Sequence, residues 1–281
     1  MTAKIIDGKE IAEKILNSLK SRIKNMKEKP GLALVLVGNN PASEIYVNFK
    51  EKTCKEVGFY CERYNLDKDV GELDLLNIVN NLNQKPNIHG ILVQLPLPKQ
   101  IDENIITNSI LPHKDVDGFT SVSLGRLFSE NAILAPATAR AVMRLIESTG
   151  TKIEGKNAVV VGRSNIVGKP VAMMLLEKSA TVTICHSKTR NLAEHTKKAD
   201  ILVVAAGKPR LIKKGMVKEN AVVIDVGINR VNGKIIGDVD FENVKEIAGF
   251  ITPVPKGVGP MTIATLLENT LKAMELAKEV I

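Results

Sequence analysis

The chain has no tryptophan and only 3% aromatic residues, so its core is not organised around large rings. With 44% hydrophobic residues over 281 positions, the core must be packed from Val, Ile, Leu, Ala and Met, as in parallel sheets covered on both faces. Cysteine is scarce: Cys54, Cys61 and Cys185 are odd in number and form no C-x-x-C pair. The four histidines, at 89, 113, 186 and 195, lack metal-ligand spacing. A disulfide framework and a structural zinc are thereby excluded, and no metal is expected. No apolar run reaches membrane-spanning length, and residues 1–10 mix charged and apolar side chains too early for a signal peptide. The expectation is a soluble, cytoplasmic protein with no membrane partner. Repeats of solenoid period and low-complexity tracts are also missing.

Charge of one sign is not absent but is dispersed. The formal charge is +8, from 39 Lys and Arg against 31 Asp and Glu, yet the basic residues stand among acids instead of forming a block. That argues against an extended nucleic-acid surface and leaves two readings: a mildly positive cleft for small polyanions such as phosphorylated cofactors or polycarboxylate substrates, or a solvated face with no role.

What is present is a rhythm. A strand over 32–37, a helix through Tyr46 and Lys50, a short strand near Tyr60, a helix over 73–82 and a strand over 90–95 form a βαβ series. Residues 99–136 loosen into a connection containing Pro, Asp and Gly. A second series follows, with strands over 158–161, 181–185, 201–205 and 222–226 and helices over 167–177 and 192–198. The last segment, 262–278, is an amphipathic helix. The predicted fold is α/β in two domains: an N-terminal α/β catalytic domain over 1–133, with 262–281 packed back on it, and a Rossmann-type parallel-sheet domain over 134–261.

The strand ending at Val161 runs straight into Gly162-Arg-Ser-Asn-Ile-Val-Gly168 and a helix. A turn in that position lets backbone approach a phosphate at a helix N-terminus. The spacing does not fit a P-loop, which needs four residues between its glycines and Lys-Ser or Lys-Thr after the second; here Pro170 follows Lys169. An NAD site commonly ends the next strand with Asp or Glu, but this one ends Cys185-His-Ser-Lys-Thr-Arg190. No carboxylate is there to repel an extra phosphate. Arg163 and Ser187, backed by Lys188 or Arg190, can surround a 2′-phosphate, which predicts NADP over NAD; the competing reading takes Lys188 and Arg190 as ordinary surface charges.

In Pro41-Ala-Ser-Glu-Ile-Tyr-Val-Asn-Phe-Lys50, Tyr46 and Lys50 share one helix face. A lysine handles protons near neutrality only if burial or nearby positive charge lowers its pKa, so a functional Lys50 must be desolvated, unlike a surface lysine such as Lys52. Gly90-Ile-Leu-Val-Gln-Leu-Pro-Leu-Pro98 places Gln94 near a strand's C-terminal end, where a buried amide needs a partner. Asp117, in Lys114-Asp-Val-Asp-Gly-Phe119, either bonds local backbone or recognises the paired donors of an aminopyrimidine edge.

These segments together resemble the bifunctional methylenetetrahydrofolate dehydrogenase/methenyltetrahydrofolate cyclohydrolase family. The resemblance extends through Asp225-Val-Gly-Ile-Asn229, Gly237-Asp-Val-Asp240, and Thr252-Pro-Val-Pro255 to Gly257-Val-Gly-Pro-Met-Thr262. It implies NADP-dependent oxidation of 5,10-methylenetetrahydrofolate and hydrolysis of the product to 10-formyltetrahydrofolate, within one-carbon metabolism and purine biosynthesis. It implies a folate cleft between the domains, with Tyr46 stacking on the aminobenzoate, Lys50 as the catalytic centre, Gln94 orienting it and Asp117 holding the pterin. Val93, Leu95, Pro255, Gly257, Val258, Gly259, Pro260, Thr262 and Ile263 would line the folate. Gly162, Arg163, Ser164, Ile166, Val167, Gly168, Ser187 and Ile228 would contact NADP. A homodimer through the NADP domains is also implied.

The chain departs from the family's usual pattern in three places. Thr120, Ser121, Val122 and Ser123 stand where His-Pro-x-Asn is common, Pro136-Ala-Thr-Ala-Arg-Ala141 replaces Pro-Cys-Thr-Pro-x-Gly, and Lys256 replaces a glycine. In this reading Thr138 caps the helix that follows. Three rival readings are a dehydrogenase with weak or no cyclohydrolase activity, another two-domain NADP oxidoreductase of shikimate-dehydrogenase type, and a catalytically silent nucleotide-binding protein.

Overall fold

A computed structural model describes residues 2–279. Its strands are β1 (Lys4–Ile5), β2 (Gly31–Val37), β3 (Tyr60–Leu66), β4 (Gly90–Val93), β5 (Asn157–Val161), β6 (Thr181–Cys185), β7 (Ile201–Val204), β8 (Val222–Asp225), β9 (Asn229–Val231), β10 (Lys234–Ile236) and β11 (Phe250–Ile251). Its helices are α1 (Gly8–Ile23), α2 (Pro41–Val57), α3 (Glu72–Gln84), α4 (Glu103–Ser109), α5 (Ser121–Phe128), α6 (Ala137–Glu147), α7 (Gly168–Glu177), α8 (Leu192–Thr196), α9 (Phe241–Val244) and α10 (Val258–Glu279). Contacts divide the described residues into two compact units, residues 13–137 with 263–279, and residues 2–12 with 138–262.

The first unit is built on a parallel sheet of order β3-β2-β4. Every residue of the central strand β2 is buried, and its two-residue period divides the interior into two cores. Leu32, Leu34 and Leu36 pack with Leu19 of α1, Val47 of α2 and Leu266, Leu267 and Leu271 of α10. Ala33, Val35 and Val37 pack with Leu75, Val79 and Leu82 of α3. Each fully buried Leu or Val side chain stabilises this arrangement by about 1.5–3 kcal/mol, which explains how a core nearly free of aromatics suffices.

The second unit holds a six-stranded parallel sheet of order β1-β11-β8-β7-β5-β6. From β5 the chain goes outward to β6 and then crosses to β7 on the other side, so the order reverses between β5 and β7. Open α/β sheets bind ligands at such a switch point, beyond the strands' C-terminal ends. β9 and β10 form an antiparallel hairpin beside this sheet.

The observed elements differ from the expected ones in specific ways. Residues 2–12 join the second unit, not the first, because β1 pairs in parallel with β11 through Lys4↔Phe250 and Ile5↔Ile251. The connection over 99–136 contains α4 and α5, each under three turns. Residues 258–263 form the opening turns of α10 instead of a loop; Pro260, which lacks an N–H, is tolerated in a first turn where that donor has no helical acceptor. Thr138 is inside the first turn of α6 and is not its cap.

Candidate active site

The sequence around α2 fixes both its ends. The Asn40 side chain accepts from the N–H groups of Ala42 (2.9 Å) and Ser43 (3.2 Å), Pro41 opens the first turn, and Gly58 closes the helix in the left-handed region at φ 99°. The buried residues of α2 are Ser43, Val47, Lys50, Cys54 and Val57, a stripe of helical period. Lys50 therefore occupies a core-facing position and is 8% exposed, while the Lys52 side chain is 70% exposed.

The Lys50 Nζ donates to Gln94 Oε1 at 3.0 Å. Gln94 follows β4 directly, its backbone N–H still bonded to the Val35 carbonyl (2.8 Å), and its Nε2 donates to the Leu95 carbonyl (2.8 Å). That second bond fixes which end of the amide faces the amine. Burial pushes the Lys50 pKa down, with the Asp117 carboxylate opposing the shift. Burial pushes Asp117 up, opposed by the Lys50 charge and reinforced by Asp115. Tyr46 is one turn before Lys50 on α2, half-buried, and Val93 is buried at the end of β4. The first unit thus brings Lys50, Gln94 and Asp117 together, and an amine so held can exchange a proton at lower pH than a solvated lysine.

Two neighbours of Asp117 carry roles that sequence reasoning missed. Asp115, 1% exposed, accepts from the N–H groups of Gly118 (2.9 Å), Phe119 (3.1 Å) and Thr120 (2.9 Å). The local turn chemistry open to Asp117 is thus performed by Asp115, two residues earlier. Lys114 donates to the carbonyls of Leu82 (3.2 Å) and Lys85 (2.8 Å) and closes the C-terminal end of α3. Thr120 caps α5, accepting from the Ser123 N–H at 3.1 Å and donating to the Ser123 hydroxyl at 3.0 Å. The departure at 120–123 is therefore a buried hydroxyl pair committed to helix capping.

In the second unit Gly162 follows β5 at φ 136°, and a Cβ there would lie 2.2 Å from the Ala205 carbonyl oxygen. A Cβ on Gly168 would lie 2.2 Å from the Gly162 carbonyl oxygen, so both glycines are required by backbone meeting backbone at the switch point. The first turn of α7 is closed locally. The Ser164 hydroxyl accepts from Val167 (3.1 Å) and Gly168 (3.3 Å), its carbonyl accepts from Lys169 (3.0 Å), and Pro170 has no N–H. The expected free N–H groups of that turn are thus engaged. With both lone pairs of its oxygen used, the Ser164 hydroxyl has only its hydrogen left to offer, and that suits an anionic oxygen.

β5 and β6 are paired with Val161 opposite Cys185, so Arg163 and Ser187 emerge from adjacent strand ends, and both are exposed. The turn after β6 is held by His186 Nδ1, which accepts from Lys188 (3.1 Å), and by Thr189 Oγ1, which accepts from His186 (2.8 Å). Ile166 and Ile228 are exposed, Val167 is half-buried, and Gly162 and Gly168 are buried. Pro255, Gly257, Val258, Gly259, Pro260 and Thr262 belong to this unit, and Ile263 to the first. Among the described residues no group of three His, Cys, Asp or Glu is placed to hold a metal, and no helix is long and apolar enough to cross a membrane.

A crevice of this kind over β5 and β7 places the chain among the dinucleotide-binding α/β enzymes. Comparison with known proteins narrows that class. Residues 6–117 match the tetrahydrofolate dehydrogenase/cyclohydrolase catalytic domain, and residues 136–278 match the NAD(P)-binding domain of the same family. The bifunctional protein FolD of Nitrosospira multiformis is 55% identical over 281 residues, covering 99% of this chain and 98% of that protein. The crystal structure of the bifunctional methylenetetrahydrofolate dehydrogenase/cyclohydrolase FolD from Campylobacter jejuni superposes with a TM-score of 0.95 at 47% identity, covering 98% of this chain and 99% of that one. The Trypanosoma brucei enzyme, solved with NADP cofactor and an inhibitor, gives a TM-score of 0.95 at 37% identity, with 99% of each chain covered. The chain belongs to the tetrahydrofolate dehydrogenase/cyclohydrolase family and has both of its domains. The shikimate-type reading is set aside by this match.

Proposed function

We propose that the protein oxidises 5,10-methylenetetrahydrofolate with NADP and hydrolyses the methenyl product to 10-formyltetrahydrofolate, with Lys50 as the proton-handling group. The observation that carries this is the amine of Lys50, buried on the core stripe of α2 and held by Gln94 Oε1 at 3.0 Å with Asp117 acting on its charge. NADP, when bound, accepts the hydride that leaves the methylene carbon. Water then adds to the resulting cationic carbon, and Lys50 assists the proton transfers of hydration and ring opening. Gln94 keeps the amine in register. Asp117, relieved of turn duty by Asp115, presents its carboxyl to the paired donors of the pterin, and Tyr46 stacks on the aminobenzoate. Val93, Leu95, Pro255, Gly257, Val258, Gly259, Pro260, Thr262 and Ile263 line the folate in this reading.

The turn after β5 fits a phosphorylated dinucleotide. Ser164 offers a hydroxyl hydrogen, Arg163 and Ser187 stand side by side for the 2′-phosphate, and the end of β6 carries no carboxylate. Gly162, Ile166, Val167, Gly168 and Ile228 complete that site. Arg163→Ala should weaken NADP by about tenfold or more while changing NAD by less than about twofold, because a charge-assisted contact to phosphate is removed. Titration of both cofactors, alongside the appearance of methenyltetrahydrofolate absorbance, tests this. Equal weakening would mean that Arg163 does not read the phosphate. The reading also includes a homodimer through the cofactor units, supported by the uncapped sheet edge at β6 with Ile184 exposed. A cytoplasmic site of action and supply of one-carbon units to purine biosynthesis complete it.

A further inference from the structure

Two acids in the second unit have no part in the chemistry above, yet they are among the most buried polar groups of the chain. Asp225 ends β8 and is 3% exposed; Asp238 follows β10 and is 0% exposed. Among the described residues neither is paired with a lysine or arginine. Backbone and amide donors satisfy them instead. Asp225 Oδ1 accepts from Gly227 (3.0 Å) and Asp238 (3.0 Å), and its Oδ2 from Val239 (2.9 Å). Asp238 Oδ2 accepts from Ala206 (2.6 Å) and Gly207 (2.8 Å), and its Oδ1 from the Asn229 amide (2.8 Å). The Asp225 N–H donates to Thr252 Oγ1 at 2.8 Å.

The arrangement is reciprocal. A Cβ on Gly227 would lie 2.1 Å from the Asp238 carboxyl carbon, and a Cβ on Gly237 would lie 1.9 Å from Asp225 Oδ2. Each carboxylate is thus seated against the glycine of the other's segment, which accounts physically for the spacing of Asp225-Val-Gly-Ile-Asn229 and Gly237-Asp-Val-Asp240. Residues 205–207 and 226–229 lie just past the C-terminal ends of β7 and β8, residues 237–239 follow β10, and a Cβ on Gly162 would meet the Ala205 carbonyl at the switch point. Between two of the anchored residues, Gly227 and Asn229, stands Ile228, a large apolar side chain that remains 45% exposed. Exposed isoleucine on a loop clamped at both neighbours is a wall waiting for an apolar or aromatic face.

We infer that Asp225 and Asp238 are positioning residues of the cofactor crevice, locking residues 205–207, 226–229 and 237–239 together so that Ile228 forms a fixed wall against the dinucleotide. This rests on the reading of that crevice as the NADP site. Burial raises the Asp225 pKa to about 7, against the pull of the Val239, Asp238 and Gly227 N–H donors, which favour the ionised form.

The test is a double-mutant cycle on the full chain, read as NADP affinity by calorimetric titration together with kcat and KM for NADP. Asp238→Asn removes one of the two acceptor oxygens, and NADP affinity should fall by about tenfold or more. Ile228→Ala should cost about tenfold alone. In the presence of Asn229→Ala, which frees the loop while Asp238 Oδ2 keeps its two backbone donors, it should cost less than about twofold, because an unclamped isoleucine no longer forms the wall. A role confined to stability would lower the melting temperature and leave the two substitutions multiplying independently, which would overturn the inference. Affinity unchanged within twofold in both Asp238→Asn and Asn229→Ala would overturn it too. Should Asp238→Asn fail to fold, the Asn229 and Ile228 cycle decides alone. If Ile228→Ala has no effect while Arg163→Ala still weakens NADP, the inference fails and the cofactor site stands; if neither matters, the cofactor reading itself fails.

Discussion

Two lysines of the first unit are buried to almost the same degree, Lys50 at 8% and Lys114 at 7% exposed, and burial pushes the pKa of both down. Their partners separate them. Lys114 spends its amine on the carbonyls of Leu82 and Lys85, fixed backbone acceptors at the end of α3. Lys50 bonds to a side-chain amide that is itself braced, and it faces a titratable carboxyl. A perturbed pKa in a buried cation is therefore no mark of function by itself; the mark is a partner set that a substrate can join or displace. The same division repeats in the acids, with Asp115 bound to three backbone N–H groups and Asp117 left for the amine.

The largest effect expected from breaking this comparison is at Lys50. Lys50→Met keeps the apolar stem in the core stripe and removes the proton carrier, so hydration should fall on the order of 10²- to 10⁴-fold while NADP binding stays near normal. Lys114→Met should do the reverse, lowering stability by about 1–3 kcal/mol through the stranded carbonyls and leaving turnover per folded molecule intact. Denaturant titration and a single-turnover hydration assay on both variants check the pair. Unchanged hydration in Lys50→Met ends the catalytic assignment. The pH dependence has a definite sign. Because the folded protein depresses the Lys50 pKa, the unfolded chain binds more protons between that depressed value and the ordinary lysine range, and stability from this group rises with pH across that window. The difference between wild type and Lys50→Met should grow in the same direction, and the rate limb due to Lys50 should disappear in the variant.

The acids sharpen the comparison at smaller scale. Asp115→Asn turns an amide N–H toward donors now accepted by a carboxylate, and it should cost about 2 kcal/mol of stability. Asp117→Asn removes a desolvated carboxyl but also the charge that opposes Lys50 desolvation, so its net effect on stability should be smaller than that of Asp115→Asn, and it should raise KM for the folate substrate by about tenfold through loss of a charge-assisted pair. Melting curves and steady-state kinetics distinguish the two. If Asp115→Asn proves the kinetic variant and Asp117→Asn the unstable one, the division of labour is reversed.

Much of this was legible in the residues, and what was not has physical reasons. The stripe of Ser43, Val47, Lys50, Cys54 and Val57 has helical period, so a lysine on a core face was readable before any coordinates. Gln94 at a strand end and the glycines around β5 were readable in the same way. Asp115 and Asp117 were not separable, because both sit in the same Asp-Val-Asp turn and only geometry says which one bends back. The engagement of the first turn of α7 by Ser164 depends on how the 162–168 turn folds over itself, which spacing does not reveal. β1 is too short to show a period and is held by β11 from far along the chain. The hairpin of β9 and β10 did carry a signal, Asn232-Gly233, whose φ values of 51° and 75° are those of a tight two-residue turn.

A third lysine completes the comparison, because it is neither buried nor bonded through its amine to a site. Lys256 is exposed and stands at φ 83°, in the left-handed region, where the family commonly has glycine. A side chain there costs roughly 1–2 kcal/mol, more than the roughly 0.5–1 kcal/mol by which glycine's backbone freedom favours the unfolded chain. Lys256→Gly should therefore stabilise the protein by up to about 1 kcal/mol, with the bond from the Lys9 N–H to the residue 256 carbonyl (3.0 Å) retained. The same variant bears on function, since a strained residue persists where something else selects it. If the ammonium meets the glutamate tail of the folate, KM should rise by a few-fold at low ionic strength, and the rise should vanish in high salt as the attraction is screened. A stabilised variant with unaltered KM at both salt concentrations would leave Lys256 a tolerated strain with no part in binding.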